Sequence, residues 1–117
     1  SYLRRTNFEN ANLRGANLSG CDLEFAILGR ADLSEANLSG SNLQRSNLVG
    51  AVAHKANCEK AMFYYSRPGN ADFSEANFTG ADLTRAIFRK AKLRNANMTD
   101  VTGRANFENA DLEGAKL

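Results

Sequence analysis

The side chains able to do acid–base or nucleophilic chemistry are few and dispersed in this 117-residue chain. His54 is the only histidine, and no evident nucleophile accompanies it. Cys21 and Cys58 form no Cys/His cluster with the spacing of metal ligands, and no phosphate-binding loop occurs. The carboxylates are spread singly along the chain. The sequence therefore predicts a non-enzymatic protein with no cofactor.

The elements that must position any functional side chain follow from a five-residue period. In this frame the chain divides into 24 repeats, with Leu 13 times and Phe six times at the central position. Ala stands two places earlier 17 times, and the residue between is Asn ten times and Asp five times. An α-helix would rotate successive leucines by about 140°, and a straight strand would point them to opposite faces. A corner in every repeat removes both conflicts, because each central Leu and each Ala then points inward. The period predicts a β-solenoid.

These residues resemble the pentapeptide-repeat family, whose motif reads Ala-Asp/Asn-Leu-X-X, and the resemblance covers essentially the whole chain. It implies an all-β fold, a right-handed quadrilateral parallel β-helix of about six coils with four pentapeptides each. Residues 1–117 are then one domain, which we expect to be a fragment of a longer protein, with end-to-end stacking of rods as the alternative. The first four pentapeptides, starting at Ser1, Thr6, Ala11 and Ala16, begin faces 1 to 4, and each face recurs once per coil.

Sorting the repeats by face separates two kinds of surface. The outward positions of face 1 include Arg4, Arg5 and Arg104, whereas those of face 4 are mainly Ser, Thr and Gly. Arginine, tyrosine, phenylalanine and methionine are enriched in protein-binding patches. The competing interpretation is structural, since tyrosine and isoleucine also suit strands. The candidate partner-binding residues are Phe25, Arg45, Met62, Tyr64, Tyr65, Arg67 and Arg85.

Three kinds of function remain for such a surface. The leading prediction is a rigid scaffold that binds an unidentified protein partner, and the resemblance suggests a ubiquitin-ligase adaptor context. The first alternative, also drawn from the family, is a DNA mimic that binds DNA gyrase and protects it from quinolones. A mimic needs a strongly negative surface, but this chain carries a formal net charge of +2. The second alternative is single-stranded nucleic-acid binding through basic and aromatic side chains; the small net charge disfavours it.

The remaining predictions concern the breaks in the pattern and the compartment. Ala53 and Cys58 replace large central residues, and we expect Phe63, Phe73 and Phe78 to compensate for the lost volume. Pro68 at a central position predicts a bulged loop over residues 64–70, and the missing residue in 101–104 predicts a tightened corner. A disulfide between Cys21 and Cys58 is geometrically poor. No apolar run reaches transmembrane length, so no membrane insertion is expected, and the cellular location is left open.

Overall fold

The chain winds into a four-sided β-helix. The computed structural model describes all of residues 1–117 and contains no helix. Each repeat contributes a single bridge residue. This residue pairs in parallel with its equivalent four repeats later, as in Tyr2 with Asp22 and Asn7 with Ile27, with the single exception of Arg67 and Ile87. Four repeats therefore make one coil; coil 1 is residues 1–20, coil 2 is residues 21–40, and so on. The rod measures 32 × 23 × 22 Å.

Outside the shortened repeat 101–104, the corner in each repeat is a turn with its own backbone hydrogen bond. In the first repeat, the N–H of Thr6 donates to the carbonyl of Leu3 at 3.2 Å, and Arg5 has φ of 61°. Asn or Asp at the bridge position adds a second bond, as in Ser39, whose N–H donates to Asn37 Oδ1 at 3.0 Å. All 15 Asn and Asp bridge residues accept this bond from the residue two places later. Their abundance is thus explained by turn formation.

The interior consists of stacked alanine and large apolar side chains. Leu23, Leu28, Leu33 and Leu38 of coil 2 are fully buried. In coils 4 and 5, four rings contact one another pairwise at centroid distances of 5.2–6.2 Å. We call this group the phenylalanine cluster; its members are Phe63, Phe73, Phe78 and Phe88. The cluster lies next to coil 3, where Ala53 and Cys58 occupy central positions.

The substitution Ala53→Leu tests whether the rings occupy the volume that the small residues of coil 3 leave. Ala53 is fully buried, so we expect the added methyl groups to overpack the interior and lower the free energy of unfolding by about 1–3 kcal/mol. Urea denaturation measures this difference. A clear gain in stability would show instead that coil 3 contains unfilled space.

The predicted bulged loop over residues 64–70 is absent, and this expectation was wrong. Arg67 bridges Asn47, and Tyr65 and Asn70 keep the positive φ of their repeat position. Proline removes one N–H group, so the bridge expected between Arg67 and Ile87 is not formed. Backbone bonds on both sides, from Arg67 to Ser46 at 3.0 Å and from Asn70 to Arg89 at 2.9 Å, keep the segment in register.

The missing residue in 101–104 shortens the corner between faces 1 and 2. Thr102 still bridges Asp82 at the usual offset, whereas Asn106 bridges Ile87 at an offset one residue shorter. Gly103 has φ of 83°, and a Cβ atom there would lie only 2.7 Å from the backbone of Thr84. The close approach of these two backbones explains why glycine takes this central position.

Both cysteines are buried and free. Burial raises the pKa of the Cys58 thiol well above its ordinary value. No helix in the structure has the length and apolar character needed to cross a membrane.

Candidate functional site

The last residues of the face 1 repeats form a column along one edge of the rod. Their side chains alternate between arginine and an aromatic ring, and we call them the arginine–aromatic ladder: Arg5, Phe25, Arg45, Tyr65 and Arg85. The Phe25 ring lies 4.7 Å from the guanidinium carbon of Arg5 and 5.8 Å from that of Arg45. The Tyr65 ring lies 5.7 Å from Arg45 and 5.6 Å from Arg85. Each ring therefore makes a cation–π contact with both neighbouring coils.

Every member of the ladder has a left-handed backbone. The φ angles range from 56° at Arg45 and Arg85 to 63° at Phe25. This conformation costs about 1–2 kcal/mol for residues other than glycine, and face 4 has Gly20, Gly40 and Gly80 at the same repeat position. The two cation–π contacts of one ring contribute about 1–2 kcal/mol together, which is similar to the cost at that residue. The cation–π contacts of the ladder thus offset the cost of placing residues other than glycine in a left-handed conformation.

The structure brings together four of the seven predicted site residues directly. Phe25, Arg45, Tyr65 and Arg85 belong to the ladder, and the Tyr64 ring contacts that of Tyr65 at 4.5 Å. Phe25 and Tyr65 are 36% and 40% exposed, so solvent reaches the edge.

The other two predicted residues lie beside the ladder. Met62 Sδ accepts a weak hydrogen bond from Gln44 Nε2 at 3.9 Å on face 1. Arg67 lies on face 2, and its side chain makes no hydrogen bond or ion pair. The sequence prediction missed Arg5, although its position one coil before Phe25 was a sufficient signal.

The arginines without a carboxylate partner are confined to this part of the rod. Six of the ten arginines form ion pairs; those that do so outside the ladder are Arg4, Arg14, Arg30, Arg89 and Arg94. The four unpaired ones lie on faces 1 and 2: Arg5, Arg67, Arg85 and Arg104. Arg45 has one carboxylate at 3.7 Å, from Glu24, which also binds Arg4 at 2.7 Å. The edge therefore presents guanidinium groups that the chain itself leaves largely unneutralised.

The basic edge ends at a depression of about 530 Å³ beside the shortened corner. Its lining includes Arg85 and Arg104, together with Thr84 and Asn106. Both guanidinium groups lack an acidic partner, so the depression extends the cationic character of the ladder to the next coil.

The charged groups of the other faces are mostly paired or isolated. His54 Nε2 lies 3.0 Å from Glu75 Oε2 on face 3, with both side chains exposed. On face 2, Arg30 pairs with Glu9 at 3.2 Å beside a second shallow depression. The lysines make no ion pair, but they lie on faces 2, 3 and 4 and stack on no ring. No group of three or more His, Cys, Asp or Glu side chains has an arrangement that could hold a metal ion. The ladder is thus the part of the surface where unpaired cations and exposed rings occur together.

Parallel bridges between successive coils, one corner per repeat and a solid interior define a β-solenoid repeat protein. The chain belongs to the pentapeptide-repeat family: the family model of pentapeptide repeats matches it in eight copies over residues 1–40, 31–64 and 69–102. Members of this family are right-handed β-helices. The segment between the last two matches contains Tyr65 and Pro68.

Solved structures similar to this chain are also pentapeptide-repeat proteins. HetL, involved in heterocyst differentiation regulation in the cyanobacterium Nostoc sp. strain PCC 7120, is 31% identical with a TM-score of 0.60. The match covers 100% of this chain and 57% of HetL. Rfr23 from Cyanothece 51142 is 26% identical with a TM-score of 0.68, covering 98% of this chain and 86% of that protein. The Nostoc protein alr5209 is 29% identical with a TM-score of 0.69, covering 93% and 86%. No curated protein matches the chain with significance.

Proposed function

We propose that this chain is a non-enzymatic, rigid interaction rod of about six coils that binds a protein partner along the arginine–aromatic ladder. The observation that carries the proposal is the confinement of all four unpaired arginines to faces 1 and 2, beside exposed rings. Arginine and tyrosine are among the residue types that dominate binding energy at protein interfaces. The cation–π contacts also hold the side chains in place before binding, which lowers the entropy lost on association.

The gyrase-binding alternative is disfavoured by charge. A protein that occupies a site built for phosphates must present carboxylates, whereas the most distinctive edge here is cationic and the net charge is +2. The fluoroquinolone resistance protein QnrB1 is 19% identical with a TM-score of 0.41, which is too distant to support a shared activity. A gyrase supercoiling assay distinguishes the DNA mimic from the protein-binding rod. A mimic protects gyrase from a quinolone, whereas the proposed rod leaves the inhibition of gyrase by the quinolone unchanged.

The proposal is tested with the double variant Phe25→Gly and Tyr65→Gly. Glycine relieves the left-handed strain while it removes the rings, so the free energy of unfolding is expected to change by less than about 1 kcal/mol. Proteins recovered on the immobilised rod from a lysate of the source organism are quantified by mass spectrometry. A protein bound by the wild-type rod is expected to fall about tenfold on the variant.

The matched control carries Lys55→Gly and Lys60→Gly. These residues occupy the same repeat position, also with positive φ, on faces 3 and 4. The control rod is expected to recover the same protein at the wild-type level. Equal recovery on the ladder variant would contradict the proposed binding edge.

A further inference from the structure

The ladder leaves its guanidinium N–H groups free to bind a partner. Phe25 and Tyr65 each have a guanidinium on both sides along the rod, at 4.7–5.8 Å from the ring centre. Nucleobases bind single-strand proteins by stacking on open aromatic faces, and these faces are already covered. The outward N–H groups of the guanidinium planes remain available. They form a rigid fork that matches a carboxylate with two parallel hydrogen bonds.

The spacing of the forks selects a backbone conformation in the partner. Arg5, Arg45 and Arg85 are two coils apart, and at the usual spacing of parallel strands this is about 9.6 Å. A polyproline II segment repeats its side-chain direction every three residues, or about 9.3 Å. A β-strand presents one face about every 6.7 Å, and an α-helix returns to the same side after about seven residues, or about 10.5 Å. Over the whole ladder, polyproline II gives the smallest mismatch.

We infer that the ladder binds an acidic polyproline II segment whose carboxylates recur at every third residue, one for each of Arg5, Arg45 and Arg85. This inference rests on the proposed function and names the chemistry of its partner. The two intervening residues of each triplet face away from the rod, so proline is accepted there. Proline also favours the extended conformation before binding and lowers the entropy lost when the segment docks.

Arg45, the middle arginine, is expected to bind its carboxylate less tightly than Arg5 and Arg85 do. The Glu24 side chain lies 3.7 Å from the Arg45 guanidinium and competes with an incoming carboxylate. Glu24 is held mainly by Arg4, at 2.7 Å, so Arg45 keeps N–H groups for the partner. The substitution Glu24→Gln removes the competing charge and is expected to tighten peptide binding about threefold.

The test uses fluorescein-labelled synthetic peptides and fluorescence anisotropy with the full chain. One peptide carries three glutamates at every third position among proline and alanine, and the second carries the same residues with glutamates at alternate positions. We expect the first to bind about tenfold more tightly. Arg45→Gln is expected to weaken its binding about tenfold. Arg30→Gln should leave it unchanged, because Arg30 has the same repeat position and positive φ but lies on face 2.

The peptide experiment and the recovery experiment test the inferred partner class and the proposed function separately. Equal affinity for the two peptides, or tighter binding of an oligothymidine of similar charge, would overturn the inferred spacing and partner class. The proposed function would still stand if the ladder double variant lost a protein that the control rod recovered. If the ladder variant lost no such protein, the proposed function would fail whatever the peptides did.

Discussion

Replacing Phe63 with alanine is expected to lower the free energy of unfolding by about 3–5 kcal/mol, the usual cost of deleting a buried ring. Phe63 is fully buried and contacts all three other rings of the phenylalanine cluster, at 5.5–6.2 Å. The backbone of each coil is bonded to its neighbours on every face, so the coils are poorly placed to collapse onto the cavity. Equilibrium urea denaturation measures the loss.

Two further variants make this prediction specific to the interior. Phe63→Leu restores the commonest central residue and should recover part of the loss, because it removes less volume. Phe25→Gly deletes a ring that is 36% exposed and should change the stability by less than about 1 kcal/mol. A loss below about 1 kcal/mol in Phe63→Ala would show that the phenylalanine cluster does not support the fold.

The second large effect is a pH-dependent loss of stability that originates at Cys58. Burial raises the pKa of this thiol in the folded chain, whereas the pKa of a cysteine in an unfolded chain is about 8.5. Below that pH both states hold the proton, and the stability is unaffected. Above it the unfolded state alone loses the proton, so the free energy of unfolding falls by about 1.4 kcal/mol per pH unit. Between pH 8 and pH 10 the wild-type protein should lose about 2 kcal/mol relative to Cys58→Ala.

The comparison is made by urea denaturation of the two proteins at each pH. All other ionisable groups are common to both proteins, so their contributions cancel in the difference. A Cys21→Ala background leaves Cys58 as the only thiol, and its alkylation by iodoacetamide should then proceed only as fast as the chain unfolds. A stability difference that stays constant across this pH range would contradict the assigned burial effect.

The fold was predictable from the sequence because every repeat carries the same information. Alanine and leucine at fixed positions required an interior on one side of the chain, and Asn or Asp between them indicated turns. Four repeats per coil did not follow from the period alone and depended on the family resemblance. The bulged loop predicted at Pro68 is wrong because the local turn preference of Pro-Gly is not the only influence on this segment. The bonds of Arg67 and Asn70 to neighbouring coils outweigh that preference.

The candidate site was predictable only in part. Sorting the repeats by face placed Phe25, Arg45, Tyr65 and Arg85 together. Their alternation as a stacked column depends on the left-handed turn residue, which the sequence does not mark when it is not glycine. The ion pairs that six arginines form with carboxylates were also not predicted from the sequence, because the partners lie far apart along the chain, on adjacent coils. The sequence therefore indicated a basic face but not which of its charges are free.

The offset of 20 residues between bridge partners, kept up to Thr102, sets the unit in which this rod can be lengthened by duplication. The arginine–aromatic alternation repeats every two coils. Duplicating two coils would therefore extend the column in phase, whereas duplicating one coil would place two arginines or two rings side by side. A pair of facing arginines would replace a cation–π contact with repulsion. The shorter offset after Gly103 ends the alternation at Arg85. The length of the ladder therefore changes in steps of two coils. The acidic segment that we infer as partner would need to change in length by the same step to contact every arginine.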